Sequence, residues 1–83
     1  MTNVVLYHTD GCHLCEVAKE KVQSVLAYYQ EADIQLLYVD LIDDEKALQL
    51  YSLSIPVLKD AEGRELFWPF DVSDIVKFLN LIK

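Results

Sequence analysis

The sequence predicts an α/β fold in the order βαβαββα, a mixed four-stranded sheet with helices on both faces. Three observations carry that expectation. Val4-Val5-Leu6-Tyr7 and Ile34-Gln35-Leu36-Leu37-Tyr38-Val39 are short apolar runs rich in β-branched and aromatic residues, an amphipathic helical pattern separates them, and Ile55-Pro56 introduces two further short apolar runs around a glycine. Strand, helix and strand with short links imply a right-handed parallel crossover. A chain of 83 residues leaves room for one domain, so residues 1–83 are read as a single unit.

In chain order, the first run reads as a buried strand that Asp10-Gly11 breaks. Leu14, Ala18, Val22, Val25 and Tyr29 then recur at steps of three and four, with Val17 and Leu26 beside them, opposite Glu16, Lys19, Glu20 and Gln23. That spacing is one amphipathic helix. The second run is almost entirely apolar, as expected for a strand covered on both faces. Asp43 or Asp44 can cap a short second helix ending near Tyr51, whose core face is Ala47, Leu48, Leu50 and Tyr51. Pro56 should border the next strand, because proline disfavours helix before it and has no N–H for a sheet ladder. Asp60-Ala61-Glu62-Gly63 reads as a hairpin loop, residues 64–68 as an exposed returning strand stopped by Pro69, and Asp71 as the cap of a last helix. Val72, Ile75, Val76, Leu79 and Ile82, with Phe78, form that helix's buried stripe.

The chemistry concentrates at Thr9-Asp10-Gly11-Cys12-His13-Leu14-Cys15, which holds both cysteines of the chain at a strand-to-helix junction. Residues three apart on a helix are neighbours about 5–6 Å apart, and a disulfide needs Cα atoms roughly 4.4–6.8 Å apart. The bond between Cys12 and Cys15 can therefore open and close without rebuilding the backbone. At a helix start Cys12 faces unpaired N–H groups and the positive end of the helix dipole, which favour thiolate over thiol. Because nucleophilicity falls with basicity, the net gain in attack is only a few-fold. The larger benefit is that Cys12 leaves readily when Cys15 resolves a mixed disulfide. Protonated His13 would favour the Cys12 thiolate, against Asp10 and Glu16; His8, at the strand end, reads as structural. A purely architectural disulfide is a weaker reading, since a four-residue loop yields only about 2 kcal/mol against about 3 for fifteen residues. Zinc needs about four ligands, and His8 and His13 would have to complete a site within the chain, or a second chain would.

Seven basic against fourteen acidic residues give a formal charge of −7. Nucleic acid and anionic membranes are poor partners for such a surface. No apolar stretch approaches the ~20 residues of a membrane span, and no signal peptide is expected, since Met1-Thr2-Asn3 lacks a basic region and the predicted first strand begins at once. A reducing cytosol is the expected compartment, where a lone Cys-x-x-Cys more often means catalysis or metal than architecture.

A strand, a Cys-x-x-Cys at a helix start, a βαβ unit and an Ile-Pro before a hairpin resemble the thioredoxin fold in its minimal glutaredoxin form, over nearly the whole chain. More narrowly, residues 6–15, Ile55-Pro56-Val57-Leu58 and Trp68-Pro69-Phe70-Asp71 resemble small bacterial glutaredoxin-like proteins. The resemblance implies a strand order of 2-1-3-4, Cys12 as exposed nucleophile and Cys15 as buried resolving thiol. It also implies a cis Ile55–Pro56 bond that sets the Ile55 backbone beside Cys12 to pair with substrate. Two departures stand out: Thr9 occupies the place of a basic residue that assists glutathione's carboxylate, and Trp68-Pro69-Phe70 replaces the Gly-Gly that leaves glutathione room. Asp71 is carried over as a binding residue, with a plain helix cap as its alternative.

The expected function is thiol–disulfide oxidoreductase, acting on a disulfide of a protein or a small thiol, with no bound cofactor and no metal. Electrons would come from glutathione or from a thioredoxin-reductase-like flavoenzyme. The rival expectations are a metal or iron–sulfur carrier using the same cysteines, and a binding module that kept the fold without turnover.

Overall fold

The computed structural model describes residues 2–81. Its elements run β1 (Thr2–His8), α1 (His13–Tyr28), β2 (Ile34–Asp40), α2 (Glu45–Tyr51), β3 (Val57–Lys59), β4 (Glu65–Phe67) and α3 (Val72–Phe78), with single 3-10 turns at Gln30–Ala32 and Leu41–Asp43. The order βαβαββα is the one expected. In the sheet the strands lie β2-β1-β3-β4; β2 runs parallel to β1, and the β1–β3 and β3–β4 pairs are antiparallel.

Alternation along the inner strands divides the core into two. Val4, Leu6 and Leu58 point to one face, where they meet Ala18, Val22 and Val25 of α1, Ile75 and Val76 of α3, and Phe70. Tyr7 and Val57 point to the other, where they meet Leu41, Ala47, Tyr51 and Ile55. Helices therefore cover both faces, α1 and α3 on one and α2 on the other. Under α2 the Tyr7 and Tyr51 rings lie 4.8 Å apart, and the Tyr51 hydroxyl donates to Glu65. Burial first, and then that hydrogen bond, push the Tyr51 phenol up to about 12, so it remains neutral at ordinary pH.

Local signals explain the boundaries. The Asp44 carboxylate accepts from the Ala47 N–H at 3.0 Å and starts α2, while Asp43 falls in the preceding turn. Asp71 and Asp74 form a reciprocal capping box at α3. Gly63 takes φ +87° in the β3–β4 turn, a conformation that costs glycine nothing and L-residues much. Asp60 braces that turn by accepting from the backbone N–H groups of Glu62 and Arg64, both at 2.9 Å. Pro56 immediately precedes β3 and is buried.

Several apolar residues are not where periodicity puts them. The second strand is not covered on both faces: β2 is an outer strand, with Leu37 38% and Tyr38 41% exposed, and no β2 side chain belongs to the cluster beneath α2. A seven-residue helix seated on Tyr7 and Val57 does not extend across the strand beyond. Leu14 is 46% exposed, because the buried stripe of α1 starts at Cys15 and runs through Ala18, Val22 and Val25. Leu48 and Leu50 are likewise exposed, since α2 buries only Ala47 and Tyr51, one turn apart. On α3, Val72 is exposed while Ile75 and Val76 are buried; Ile82 lies outside the described residues.

Leu58→Ala, which empties the centre of the larger cluster, should lower unfolding stability by about 2–5 kcal/mol. Leu53, 99% exposed, should tolerate alanine within about 0.5 kcal/mol. Urea unfolding midpoints of the two variants check the contrast.

Candidate redox site

Strand β1 ends at His8, and a short turn leads into α1. Gly11 makes that turn with φ +77° and has open space, with nothing within 4 Å, where a side chain would project. Backbone conformation and not crowding therefore selects glycine there. Cys12 is the N-cap of α1, in extended conformation, and its sulfur accepts the Cys15 N–H at 3.1 Å. That satisfies one of the orphan donors of a helix start, the position usually filled by serine, threonine or aspartate. Cys15 is 2% exposed, packed at the top of the α1 stripe, whereas Cys12 is half-buried. The two form a disulfide across a Cα separation of 5.2 Å, inside the range such bonds require.

A groove of about 390 Å³ opens beside Cys12, with His8, His13 and Lys19 among its walls together with Asp10 and Glu16. His13, exposed at the first position of α1, thus stands next to Cys12 as the sequence expects, and the two opposing carboxylates stand there with it. A smaller cavity of about 160 Å³ touches Cys15 and shares His8, Glu16 and Lys19 with that groove. No motif in the sequence marks Lys19 and Tyr38 as members of the site. The available signal was spacing: Lys19 lies four residues after Cys15 on one helix face, and Tyr38 sits opposite Leu6 in the parallel pair. Among the described residues, no group of three or more His, Cys, Asp or Glu side chains comes together as a metal site.

Of the remaining expected site residues, Thr9 lines the groove beside Cys12, and Ile55 and Pro56 enter β3 at the same end of the sheet, next to Val57, which pairs with Tyr7. The Ile55–Pro56 bond is cis, as the resemblance implies, with Pro56 buried and Ile55 half-buried. The Ile55 N–H already donates to the Tyr51 carbonyl at 3.1 Å, so an incoming peptide would find that donor occupied. Thr9 donates its hydroxyl to Asp40 at 3.3 Å, tying the turn after β1 to the end of β2. Asp71 caps α3 and binds the Lys21 ammonium of α1 at 2.8 Å. The hydrogen bond from Lys21, then the one from the Val72 N–H, hold its carboxyl below the usual range. Phe70 is 4% exposed and belongs to the core, and Trp68 packs edge-to-face on it at 5.1 Å. Those rings are scaffold beneath the last helix.

Sheet order, helix placement and a Cys-x-x-Cys at the start of α1 define a protein of the thioredoxin-fold class. The sequence profile described as Glutaredoxin-like domain (DUF836) matches residues 3–80, and the chain belongs to that family. Solved structures agree. Protein XcR50 from X. campestris is 34% identical, with 96% of this chain and 99% of that chain covered and a TM-score of 0.78. Protein Ne2328 from Nitrosomonas europaea is 26% identical over 93% of this chain and 88% of that one, with a TM-score of 0.73. Thioredoxin 1 from Thermosipho africanus is 18% identical over 95% and 91%, with a TM-score of 0.70, a likeness of fold. No curated protein matches the chain.

Two measurements check this geometry. In the reduced protein, iodoacetamide should modify Cys12 and spare Cys15 until the protein unfolds, as peptide mapping after a short pulse will show. A carboxyl held low in the folded state contributes its full stability above its unfolded value, near pH 3.9, and loses it as pH falls through the lower folded value. Asp71→Asn should therefore melt with a shallower loss of stability below about pH 4 than the wild type.

Proposed function

We propose that the protein is a dithiol–disulfide oxidoreductase whose redox centre is Cys12 and Cys15. The observation that supports this most is the asymmetry of the pair: a half-buried sulfur at the helix start, receiving an N–H, beside a nearly sealed sulfur within bonding reach. One can meet a substrate and the other can only meet the first.

In the working direction, the Cys12 thiolate attacks one sulfur of a substrate disulfide, and the other substrate sulfur leaves as a thiolate. Cys15 then attacks the Cys12 sulfur of the mixed disulfide, gives up its proton, and expels the second substrate thiolate. The substrate gains two electrons, and the Cys12–Cys15 disulfide records their loss. An external thiol or flavoenzyme reverses that bond. The exchange passes between sulfurs, so no bound cofactor is needed. The substrate class is a disulfide of a protein or a small thiol, in a reducing compartment such as the cytosol. Glutathione and a thioredoxin-reductase-like flavoenzyme are the two reductants to test, because Thr9 binds Asp40 where a basic residue would greet glutathione's carboxylate.

Cys12→Ser should abolish reduction of a model protein disulfide, with no turnover above the uncatalysed rate for either reductant. Cys15→Ser should still attack and should accumulate a covalent mixed disulfide visible by intact-mass spectrometry. Turnover in Cys12→Ser at the wild-type rate would remove the assignment.

A further inference from the structure

Closing the Cys12–Cys15 bond requires Cys15 to lose a proton, yet Cys15 is 2% exposed. Burial disfavours the thiolate, so the proton needs an acceptor close at hand. The cavity that touches Cys15 and the groove that touches Cys12 share three side chains, His8, Glu16 and Lys19. From that arrangement we propose that His8 accepts the Cys15 proton when the mixed disulfide is resolved, an inference that rests on the dithiol reading above.

Position supports His8. Side chains alternate along a strand, and Val4 and Leu6 are both buried against α1, which puts His8 on the same face, toward Cys15. Its ring meets the Tyr38 ring edge-on, with centroids 6.1 Å apart. A cavity of about 160 Å³ has room for water, so transfer can run directly or through one molecule.

The other titratable groups facing this space are less suited to the task. The Lys19 ammonium, 4.9 Å from the centre of the Tyr38 ring, has no lone pair to offer. The Tyr38 hydroxyl accepts from Gln23 at 2.7 Å, and a neutral phenol is a poor base. Asp40, which pairs with His8 in the β1–β2 register, already accepts from Thr9 and the Ile42 N–H. Carboxylates such as Glu16 and Asp10 are weak bases toward a thiol at neutral pH, and His13 lines only the Cys12 side. Imidazole is the side chain matched to proton exchange near neutrality.

As the Cys15 sulfur bonds to the Cys12 sulfur, the bond from Cys12 to substrate breaks, and the substrate sulfur departs with the electron pair as a thiolate. The Cys15 proton moves to the neutral His8 imidazole. The imidazolium then releases it, through the groove it also lines, to the departing thiolate or to solvent.

The test uses the reduced full chain and one equivalent of the aromatic disulfide dithiobis(nitrobenzoate), followed by stopped-flow absorbance. The first nitrothiobenzoate released reports attack by Cys12, and the second reports resolution by Cys15. In the wild type the second phase should accelerate as pH rises through the range where imidazole deprotonates, then level off. His8→Asn should slow that phase on the order of 10²-fold and remove the plateau, free imidazole should restore it in part, and Glu16→Gln should keep the plateau. Wild-type resolution and plateau in His8→Asn, or loss of the plateau in Glu16→Gln instead, overturns the proposal. Should His8→Asn fail to fold, nitrogen-15 shifts of His8 in the wild type decide it: they must titrate in step with the kinetic inflection, and a mismatch overturns it. If the wild type releases no second equivalent, the dithiol reading falls and takes this inference with it.

Discussion

The N–H of Cys15 aimed at the sulfur of Cys12 is the contact on which the rest of the site depends. It exists because the first turn of α1 is held from below: Cys15 is the uppermost residue of a stripe that continues through Ala18, Val22 and Val25 into the sheet. A helix anchored along that stripe cannot rotate without exposing it. Cys12 is consequently fixed one turn earlier, at the rim, as cap and as the more accessible member of the pair. A sulfur in the N-cap position is a modest acceptor when protonated and a strong one when anionic. The helix start is thus better satisfied by the reactive form of the residue than by the resting one.

The sheet determines where that helix can begin. β1 is an inner strand, flanked by β2 and β3, and its alternation sends Val4 and Leu6 to α1 and Tyr7 to α2. The turn after it emerges at the same end of the sheet as the turn entering β3, because the two strands are antiparallel and Tyr7 pairs with Val57. Pro56 and Ile55 therefore arrive at the dithiol end of the molecule through strand pairing alone. The same geometry brings Asp71, at the start of α3, to Lys21 of α1, across fifty positions of sequence.

Within this frame the departures from a typical glutaredoxin acquire physical meaning. Thr9 closes a link between the ends of β1 and β2. Phe70 fills the core, and Asp71 has Lys21 and the first N–H of α3 as partners. Groups that the resemblance assigns to a tripeptide ligand are engaged here in holding the scaffold. Beside Thr9, the polar groups around Cys12 are the two histidines, Lys19 and the opposing carboxylates of the adjoining groove.

Much of this was legible in one dimension. Cap residues such as Asp44 and Asp71, the left-handed glycine of the hairpin, the element order and the three-residue spacing of the cysteines are local features, and local chemistry specifies them. Periodicity failed where exposure depends on what lies across from a residue: Leu14, Leu48, Leu50 and Val72 fit an apolar helical face, yet the helices here bury only one narrow stripe. It failed for β2 because an apolar strand does not announce whether it ends a sheet. The sequence by itself therefore determined which two sulfurs can join and on which kind of junction they sit. Only the folded molecule decided what surrounds each of them. His8, Lys19 and Tyr38 come from three different elements, and nothing but the packing of α1 across β1 and β2 brings them to Cys15.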